Sequence, residues 1–281
     1  MKQIIATSIE EDAPEGDITS SNLIPPNAIA HAKLHARQSG VLSGTEIIQE
    51  VFRQIDPTVI VEVHVTDGQT FSAGDEIATI SGNAKSVLQG ERIALNFAQR
   101  MSGIATLTAA FVHAVAGTSA QILDTRKTTP GLRKFERQAV VHGGGHNHRF
   151  SLSDAVLIKD NHLAVLQSAG KGITAELLDL RTKVPTGVTI EVEVDRLDQI
   201  EPVLAGNVDI IMLDNFTLED LRTGVEMING KAIVEASGGV TLETVRQIAD
   251  TGVDRISVGS LTHSATAIDL ALDVDIEVHV Q

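Results

Sequence analysis

The residues best suited to chemistry in this sequence form a basic stretch between Arg126 and Lys159. Its seven basic side chains are Arg126, Lys127, Arg133, Lys134, Arg137, Arg149 and Lys159. Only Glu136 and Asp154 oppose them, so the local charge is about +5 in a chain whose net charge is −15. Arginine binds a carboxylate through two parallel hydrogen bonds and lysine supplies a compact charge. The mixture therefore indicates a small ligand that carries several carboxylate or phosphate groups.

The position of each basic residue separates the ends of this stretch from its middle. Arg126, Lys127 and Lys159 directly follow short apolar runs, where parallel strands would deliver them to one common rim. The basic residues of 133–137 instead follow Pro130 and Gly131 at helical spacing, which is typical of a solvated helix face. The ends of the stretch are therefore the candidate binding residues.

Three histidines, at positions 142, 146 and 148, surround the consecutive glycines 143–145. Glycines at such a place let a backbone approach a ligand closely. A transition-metal site is an alternative, but neighbouring cations disfavour a metal ion and no carboxylate sits at ligand spacing. The pattern favours hydrogen-bond donation from the histidines to an anion.

Two carboxylates, Glu193 and Asp214, end neighbouring apolar runs. Such a pair can hold Mg²⁺ beside a phosphate or stabilise a cationic transition state. It is also open that one of them merely pairs with Lys159 or Lys127. Glu191 lies two residues before Glu193 and so points the same way, but Glu193 is nearer the rim.

Two glycine-containing segments, Ser237–Gly239 and Val258–Ser260, each follow an apolar run and precede a helical segment. The last two such loops of an α/β barrel often bind phosphate through backbone N–H groups. Each segment alone is a weak signal, but their occurrence in successive units predicts a phosphate site made of Ser237, Gly238, Gly239, Val258, Gly259 and Ser260.

The elements that would position these residues change type along the chain. The first hundred residues mix period-two strands, at 28–37, 59–65 and 76–80, with helices at 45–54 and 83–115. From about residue 118, apolar runs alternate with polar amphipathic segments; the runs are 120–123, 155–158, 188–192, 208–213, 232–235 and 253–258. Regular strand–helix alternation predicts a parallel sheet.

The predicted fold class is thus α/β, an open TIM-like barrel preceded by a mixed α/β (α+β) N-terminal domain. We place the N-terminal domain at 1–107, joined by the alternating C-terminal tail 269–281, and the barrel at 108–268. Hydrophobic residues make up 42% of the sequence, so a sizeable core can form.

Composition excludes several classes of function. The net charge of −15 disfavours nucleic acid and acidic membrane surfaces as partners. The absence of cysteine excludes disulfides, cysteine-based zinc sites and a cysteine nucleophile. The first apolar run is short and acids follow it, so we expect no signal peptide, no membrane span and a cytoplasmic location.

Nine ordered motifs resemble the quinolinate phosphoribosyltransferase family, also called carboxylating nicotinate-nucleotide pyrophosphorylases. They are EDAPEGDIT (11–19), GERIALNFAQRMSGIAT (90–106), DTRKTTPGLR (124–133), GGGHNHR (143–149), LIKDNH (157–162), EVEV (191–194), IMLDNF (211–216), EASGG (235–239) and GVDRISVGSLTHS (252–264). The resemblance implies a mixed N-terminal domain, an open α/β barrel and a tail that returns to the first domain. It also implies the conversion of quinolinate and phosphoribosyl pyrophosphate into nicotinate mononucleotide, pyrophosphate and CO₂, with Mg²⁺ as cofactor, in de novo NAD biosynthesis.

The resemblance further implies roles for individual residues. The quinolinate carboxylates would be contacted by Arg126, Lys127, His148, Arg149 and Lys159, beside Thr125. Arg92 matches an arginine supplied by the neighbouring subunit, which implies a homodimer or a higher oligomer built from dimers. Glu193 and Asp214 would serve the donor and the magnesium ion, with Lys127 and Lys159 also catalytic. The two glycine segments would bind phosphate, and His263 would lie close by.

Three alternatives remain beside this resemblance. A related pyrophosphorylase-like protein of molybdate transport clusters shares the barrel and a similar TRKT motif, but we expect it to lack intact NHR and KDNH motifs. A metal-dependent barrel lyase or aldolase would use the histidines and would hold zinc tightly. A catalytically silent binding subunit is opposed by the occupation of every expected site position.

Overall fold

The protein is described by a computed structural model for residues 1–168 and 172–278. Up to the long helix its elements are α1 (Lys2–Asp12), α2 (Ile18–Leu23), β1 (Ala28–Ala36), β2 (Gly40–Val41), α3 (Thr45–Ile55), β3 (Ile60–Val63), β4 (Thr70–Phe71), β5 (Glu76–Asn83) and α4 (Ala84–Ala114). They are followed by β6 (Gln121–Leu123), α5 (Arg133–His142), β7 (Val156–Ile158), α6 (Asp160–Ser168), α7 (Ile173–Lys183), β8 (Ile190–Val194), a 3₁₀ turn (Leu197–Gln199) and α8 (Ile200–Leu204). The last elements are β9 (Ile210–Asp214), α9 (Leu218–Ile228), β10 (Ile233–Ser237), α10 (Val245–Ala249), β11 (Arg255–Ser257), α11 (Ser260–His263) and β12 (Leu270–Val278).

The chain forms two compact units. As far as the structure describes them, the first unit comprises Met1–Ala109, Thr128–Gly144 and the residues from Leu261 onward. The second unit comprises Ala110–Lys127 and Gly145–Ser260. The segment that contains α5 therefore belongs to the first unit, although it lies between two parts of the second in sequence. The domain boundaries predicted above stay a prediction.

The first unit is built on an antiparallel sheet of order β12-β1-β5-β3. In β1 the residues Ala30, Ala32 and Leu34 are buried while those between them are not, which is the period-two pattern that predicted this strand. The predicted return of the C-terminal tail is confirmed, because β12 pairs with β1 along its whole length, from Ala28↔Val278 to Ala36↔Leu270.

The second unit is built on a parallel sheet of order β6-β11-β10-β9-β8-β7. These six strands coincide with the six predicted apolar runs, and every residue of β8 is buried, as expected for strands covered on both faces. In the described residues no ladder joins the edge strands β6 and β7. The arrangement is the predicted open α/β barrel, and it brings the carboxyl ends of all six strands to one rim.

Several short elements were not predicted. Helix α1 buries Ile5 alone, so it lacks the repeated apolar face from which a helix is recognised. The strands β2 and β4 are two residues long and pair only with each other, which is too short for a periodic signal. The helical segment predicted at 162–182 is divided between α6 and α7, and its residues 169–171 lie outside the described part of the chain.

Within the described residues, no helix combines the length and the apolar character needed to cross a bilayer.

Candidate functional site

A cavity of about 550 Å³ opens at the carboxyl ends of the parallel strands, within the second unit. Eleven predicted site residues line it: Thr125, Arg126, Lys127, His148, Arg149, Lys159, Glu193, Asp214, Ser237, Gly238 and Gly239. Four further residues complete the lining: Leu157, Met212, Asn215 and Ser257. The cavity thus joins four basic side chains to two carboxylates and a glycine-rich turn, as a multiply anionic ligand requires.

The rim positions follow from strand geometry. Lys159 directly follows β7, Glu193 lies in β8 and Asp214 ends β9, so parallel pairing places all three at one edge. The Nζ atom of Lys159 lies 2.6 Å from Oε2 of the nearly buried Glu193. The possibility that one carboxylate pairs with Lys159 is therefore confirmed for Glu193, which remains part of the cavity lining.

The turn after β10 is packed against Asn215. Asn215 adopts a left-handed backbone conformation, with φ 58°, and its Nδ2 donates to Oδ2 of Asp214 at 2.7 Å. Gly238 has φ 97°, and a Cβ atom at this position would lie 2.2 Å from Oδ1 of Asn215. Only glycine fits this contact, so Gly238 and Asn215 together fix the orientation of the Asp214 carboxylate.

His148 is held by buried carboxylates below the cavity. Its Nε2 lies 3.0 Å from Oε2 of Glu191 and 3.3 Å from Oε1 of Glu235. Its backbone N–H donates to Oδ1 of Asp124 at 2.7 Å, and its Nδ1 accepts from the backbone N–H of Arg149 at 2.8 Å. The expectation that no carboxylate sits at ligand spacing is therefore wrong for His148, because β8 and β10 bring two carboxylates to it from far along the sequence.

The protonation of this cluster follows from its burial and its charges. Burial by itself lowers the pKa of His148, but the close contacts with the charged carboxylates of Glu191 and Glu235 outweigh burial and raise this pKa to about 10. Burial also raises the pKa of Glu191, against the hydrogen bond from His148, and the charge of Glu235 raises it further. A raised pKa favours a ring protonated at both nitrogens, whereas the N–H of Arg149 points at Nδ1 and requires a lone pair there. The contact at Nδ1 therefore favours a ring that carries its proton on Nε2, beside the two carboxyl groups.

Arg149 follows His148 on the same segment and reaches the cavity beside it. Its Nη1 donates to the carbonyl oxygen of Ala155 at 3.1 Å. Burial, and after it the neighbouring guanidinium of Arg126, lower the pKa of Arg149. The lowered pKa of Arg149 reflects the repulsion between cations in a partly buried place, and an anionic ligand would offset this repulsion.

A second cavity, of about 540 Å³, lies at the amino ends of the same strands. Its lining includes Gln121, Thr189, Glu191 and Arg255, none of which was predicted as a site residue. His148 and Arg149 line both cavities. The segment that carries these two residues therefore runs between the two ends of the barrel interior.

The remaining predicted site residues do not line the rim cavity in the described part of the chain. Val258 is buried and donates its N–H to the carbonyl of Leu123 at 2.9 Å, so this N–H is already used in the sheet. Gly259 and Ser260 continue from Val258 towards α11. Arg92 and His263 belong to the first unit, where both are exposed, and the guanidinium of Arg92 lies 3.3 Å from Glu91.

The sequence predicted most of the residues at the rim, but it did not predict several of the residues that pack beside them. Asn215 was visible as the residue after Asp214 in IMLDNF, and Ser257 as the polar residue that ends β11. Ser257 is 3% exposed and its hydroxyl has no hydrogen-bond partner among the described residues. An unpaired hydroxyl on a cavity wall offers a ligand a hydrogen bond. Leu157 and Met212 carried no signal beyond their place in apolar runs.

Two family models match this chain along most of its length. The model described as the N-terminal domain of quinolinate phosphoribosyl transferase matches residues 17–102, and the one described as its C-terminal domain matches residues 104–273. The chain belongs to the quinolinate phosphoribosyltransferase family. The rim cavity is thus located in the part of the chain that matches the family's C-terminal domain.

Curated relatives and solved structures agree with this family membership. The chain is 39% identical to quinolinate phosphoribosyltransferase [decarboxylating] 2b, mitochondrial, from Nicotiana tabacum, over 100% of this chain and 84% of that protein. It is also 39% identical to a probable nicotinate-nucleotide pyrophosphorylase [carboxylating] from Bacillus subtilis, over 98% of this chain and 93% of the relative. The crystal structure of NadC from Streptococcus pyogenes superposes with a TM-score of 0.93 at 37% identity and covers 98% of this chain and 96% of its own.

Proposed function

We propose that this member of the quinolinate phosphoribosyltransferase family transfers phosphoribosyl from phosphoribosyl pyrophosphate to quinolinate with loss of CO₂. The products are nicotinate mononucleotide and pyrophosphate, and the reaction belongs to NAD biosynthesis. The observation that carries the proposal is the rim cavity, in which Arg126, Lys127, Arg149 and Lys159 face Glu193 and Asp214. A net positive cavity in a chain of charge −15 suits substrates that are themselves strongly anionic.

Recognition of quinolinate is assigned to the basic residues of the cavity. Quinolinate carries two adjacent carboxylates on a flat ring, so tight binding needs several donors in one place. Arg126 and Arg149 offer planar guanidinium groups, and Lys159 offers a compact charge that is already oriented by Glu193. His148 lies beside Arg149, and its contact with the substrate is part of this proposal.

The opposite side of the cavity is assigned to the phosphoribosyl donor. Ser237, Gly238 and Gly239 form a turn with positive φ at both glycines, a conformation that exposes backbone N–H groups to anions. Lys127 is exposed on the rim and can reach a phosphate group. Val258, Gly259, Ser260 and His263 stay a prediction as further phosphate contacts.

The donor set on this side also fits Mg²⁺, which we propose as the cofactor. Glu193 is the penultimate residue of β8 and Asp214 ends the paired strand β9, and one oxygen of each is bonded within the chain, to Lys159 and to Asn215. Within the described part of the chain the other oxygen of each accepts no hydrogen bond, and magnesium is commonly held by one or two carboxylates together with substrate phosphates and water. When bound, the ion would neutralise the charge of the leaving pyrophosphate.

The chemistry then needs little beyond positioning and charge. The ring nitrogen of quinolinate attacks C1 of the ribose as the bond to pyrophosphate breaks, and the carboxylates of Glu193 and Asp214 can stabilise the positive charge that develops there. The product of this step is a pyridinium, whose ring accepts the electron pair that is left at C2 when CO₂ departs. A proton taken up at C2 completes nicotinate mononucleotide.

The direct test is incubation of the purified chain with phosphoribosyl pyrophosphate, Mg²⁺ and quinolinate labelled in the carboxyl group that is lost. We expect labelled CO₂ and nicotinate mononucleotide in equal amounts. Nicotinate is the matched control, because it offers one carboxylate and cannot release CO₂ in this reaction. Turnover of nicotinate alone, or tightly bound zinc with no response to phosphoribosyl pyrophosphate, would contradict the proposal.

We further propose a homodimer in which Arg92 serves the neighbouring site. Arg92 is exposed and lies on α4, where its guanidinium lies 3.3 Å from the carboxylate of Glu91. The name of the tobacco relative includes the word mitochondrial. The cytoplasmic location expected from the sequence therefore stays a prediction.

Mixing of two inactive variants tests the shared site. In a dimer of one Arg92→Ala subunit and one Lys159→Ala subunit, a shared arrangement leaves one site with both residues intact. We expect confirmed mixed dimers to recover about half of the activity of the unaltered dimer, because one site of two is complete. If Arg92 acts within its own subunit, neither site is complete and the mixed dimers stay inactive.

A further inference from the structure

Three carboxylates are buried in the second unit outside the lining of the rim cavity. Asp124 follows β6, Glu191 lies in β8 and Glu235 lies in β10; their exposed fractions are 0%, 2% and 0%. A buried carboxylate is costly unless it is paired or hydrogen-bonded. Their burial in the barrel interior therefore calls for a function that water-exposed residues could not perform.

All three carboxylates meet at His148. Asp124 accepts the backbone N–H of His148 at 2.7 Å. Glu191 and Glu235 lie 3.0 and 3.3 Å from the ring Nε2. The Glu235 contact is electrostatic, because neither of its oxygens has a hydrogen bond of good geometry among the described residues. Backbone and ring are thus fixed from three different strands.

The ring in turn fixes the next residue. Nδ1 of His148 accepts the backbone N–H of Arg149 at 2.8 Å, which requires the tautomer with its proton on Nε2. A carboxylate beside Nε2 selects this tautomer, as it does for histidines that bind metals. Gly144, before this segment, has φ 83° and adds no side-chain anchor. The orientation of Arg149 therefore depends on bonds that the buried carboxylates control.

We propose that Asp124, Glu191 and Glu235 are positioning residues, which set His148 and Arg149 against the carboxylates of quinolinate. The proposal rests on the proposed function for the identity of the substrate. In this proposal the three acids do not contact the substrate. Their effect passes through the tautomer and the ring orientation of His148 and through the backbone of Arg149.

A metal ion is the competing explanation for the same atoms. Ligand atoms of His148, Glu191 and Glu235 all lie within 4.8 Å of one another, a spacing that a metal site also shows. Two observations favour the positioning role. The guanidinium of Arg126 lies near enough to that of Arg149 to help lower the pKa of Arg149, and a bound metal ion would add to this repulsion. The contact from Nε2 to Glu191, at 3.0 Å, is also of direct hydrogen-bond length.

Glu235→Gln is the sharpest test, because it keeps the volume of the side chain and lies away from Glu193 on a different strand. We expect the KM for quinolinate to rise roughly tenfold to a hundredfold, as when other buried orienting groups are removed. The KM for phosphoribosyl pyrophosphate should change less than about twofold, since the altered contacts lie on the quinolinate side. Glu191→Gln should act in the same direction, and it replaces Glu235→Gln if that variant does not fold. Glu226→Gln, on the exposed face of α9, is the matched control and should leave both constants unchanged.

The tautomer of the His148 ring is a second measurement, and it would not change if the three acids only stabilised the fold. In ¹⁵N-histidine spectra, assigned by comparison with His148→Gln, Nδ1 should be unprotonated and Nε2 protonated in the unaltered protein. Glu235→Gln should mix the two tautomers. Unchanged ring signals together with an unchanged KM for quinolinate overturn the proposal, and so does an equal loss for both substrates. One equivalent of bound transition metal, lost in Glu235→Gln, assigns the cluster to a metal instead. The spectra need no substrate. If the unaltered protein does not turn over quinolinate, the proposed function is refuted, but the spectra still report whether the three acids orient the His148 ring.

Discussion

Lys159→Ala is expected to lower kcat/KM for quinolinate by roughly 10³-fold, which corresponds to about 4 kcal/mol. Lys159 follows β7 at the rim and lies 2.6 Å from Glu193. Its loss removes a cation from the quinolinate side and also leaves the nearly buried Glu193 carboxylate without its partner. The two effects act together, because the uncompensated carboxylate would then repel the substrate.

The measurement is steady-state kinetics with quinolinate varied at saturating phosphoribosyl pyrophosphate. Lys134→Ala is the matched control, since Lys134 comes from the same basic stretch, lies exposed on α5 and does not line the rim cavity. It should retain nearly full activity. The thermal unfolding of both variants should resemble that of the unaltered protein. Similar losses in both variants would mean that general positive charge, and not the rim position, matters.

Gly238→Ala is expected to lower kcat/KM for phosphoribosyl pyrophosphate by roughly a hundredfold, about 3 kcal/mol, the scale of an overpacked and strained position. The new Cβ would lie 2.2 Å from Oδ1 and 2.9 Å from the backbone nitrogen of Asn215, and φ at this position is 97°. Asn215 must move, and it carries Asp214 with it through their 2.7 Å hydrogen bond. The change therefore disturbs both the glycine turn and a proposed magnesium ligand.

Gly239→Ala isolates the clash from the general effect of removing a glycine. Gly239 also has a positive φ, 59°, but a Cβ atom there meets nothing within 4 Å. Its substitution should cost only the local strain of a left-handed alanine, about 1 kcal/mol, with a modest change in kinetics. At higher Mg²⁺ concentration the kcat/KM of Gly238→Ala should remain below that of Gly239→Ala. Equal kinetics for the two variants would refute the assignment of Gly238.

The rim of the site could be predicted from sequence because strand ends are local signals. Lys159 and Asp214 each end an apolar run, and parallel strands must deliver such residues to one edge. The same reasoning separated Glu193 from Glu191, two positions earlier on one face of β8. The structure confirms this difference, since Glu193 lines the rim cavity with Lys159 while Glu191 reaches His148.

The interior of the barrel could not be predicted in the same way. Glu235 was visible only as an acid at the end of an apolar run, and its approach to His148 depends on how β10 is aligned with strands far away in sequence. Glu136 was treated as part of a solvated helix face, yet it is 1% exposed and accepts a hydrogen bond from Arg100. In both cases a charged residue within an apolar pattern was the available signal, but its partner lies too far along the chain for spacing to identify.

The open seam of the sheet has a thermodynamic consequence. A barrel closed by a β6–β7 ladder would hold this region with backbone hydrogen bonds alone. Among the described residues, the segment from His146 to Arg149 forms one β-bridge with β6, between Leu123 and His146, and the buried carboxylates at His148 supply further contacts. A ligand that binds Arg149 and Lys159 also links the two sides of the seam, so ligand binding and local folding are coupled equilibria. Protection of these amides from hydrogen exchange should therefore rise with ligand concentration, and the seam should open first when the site is empty.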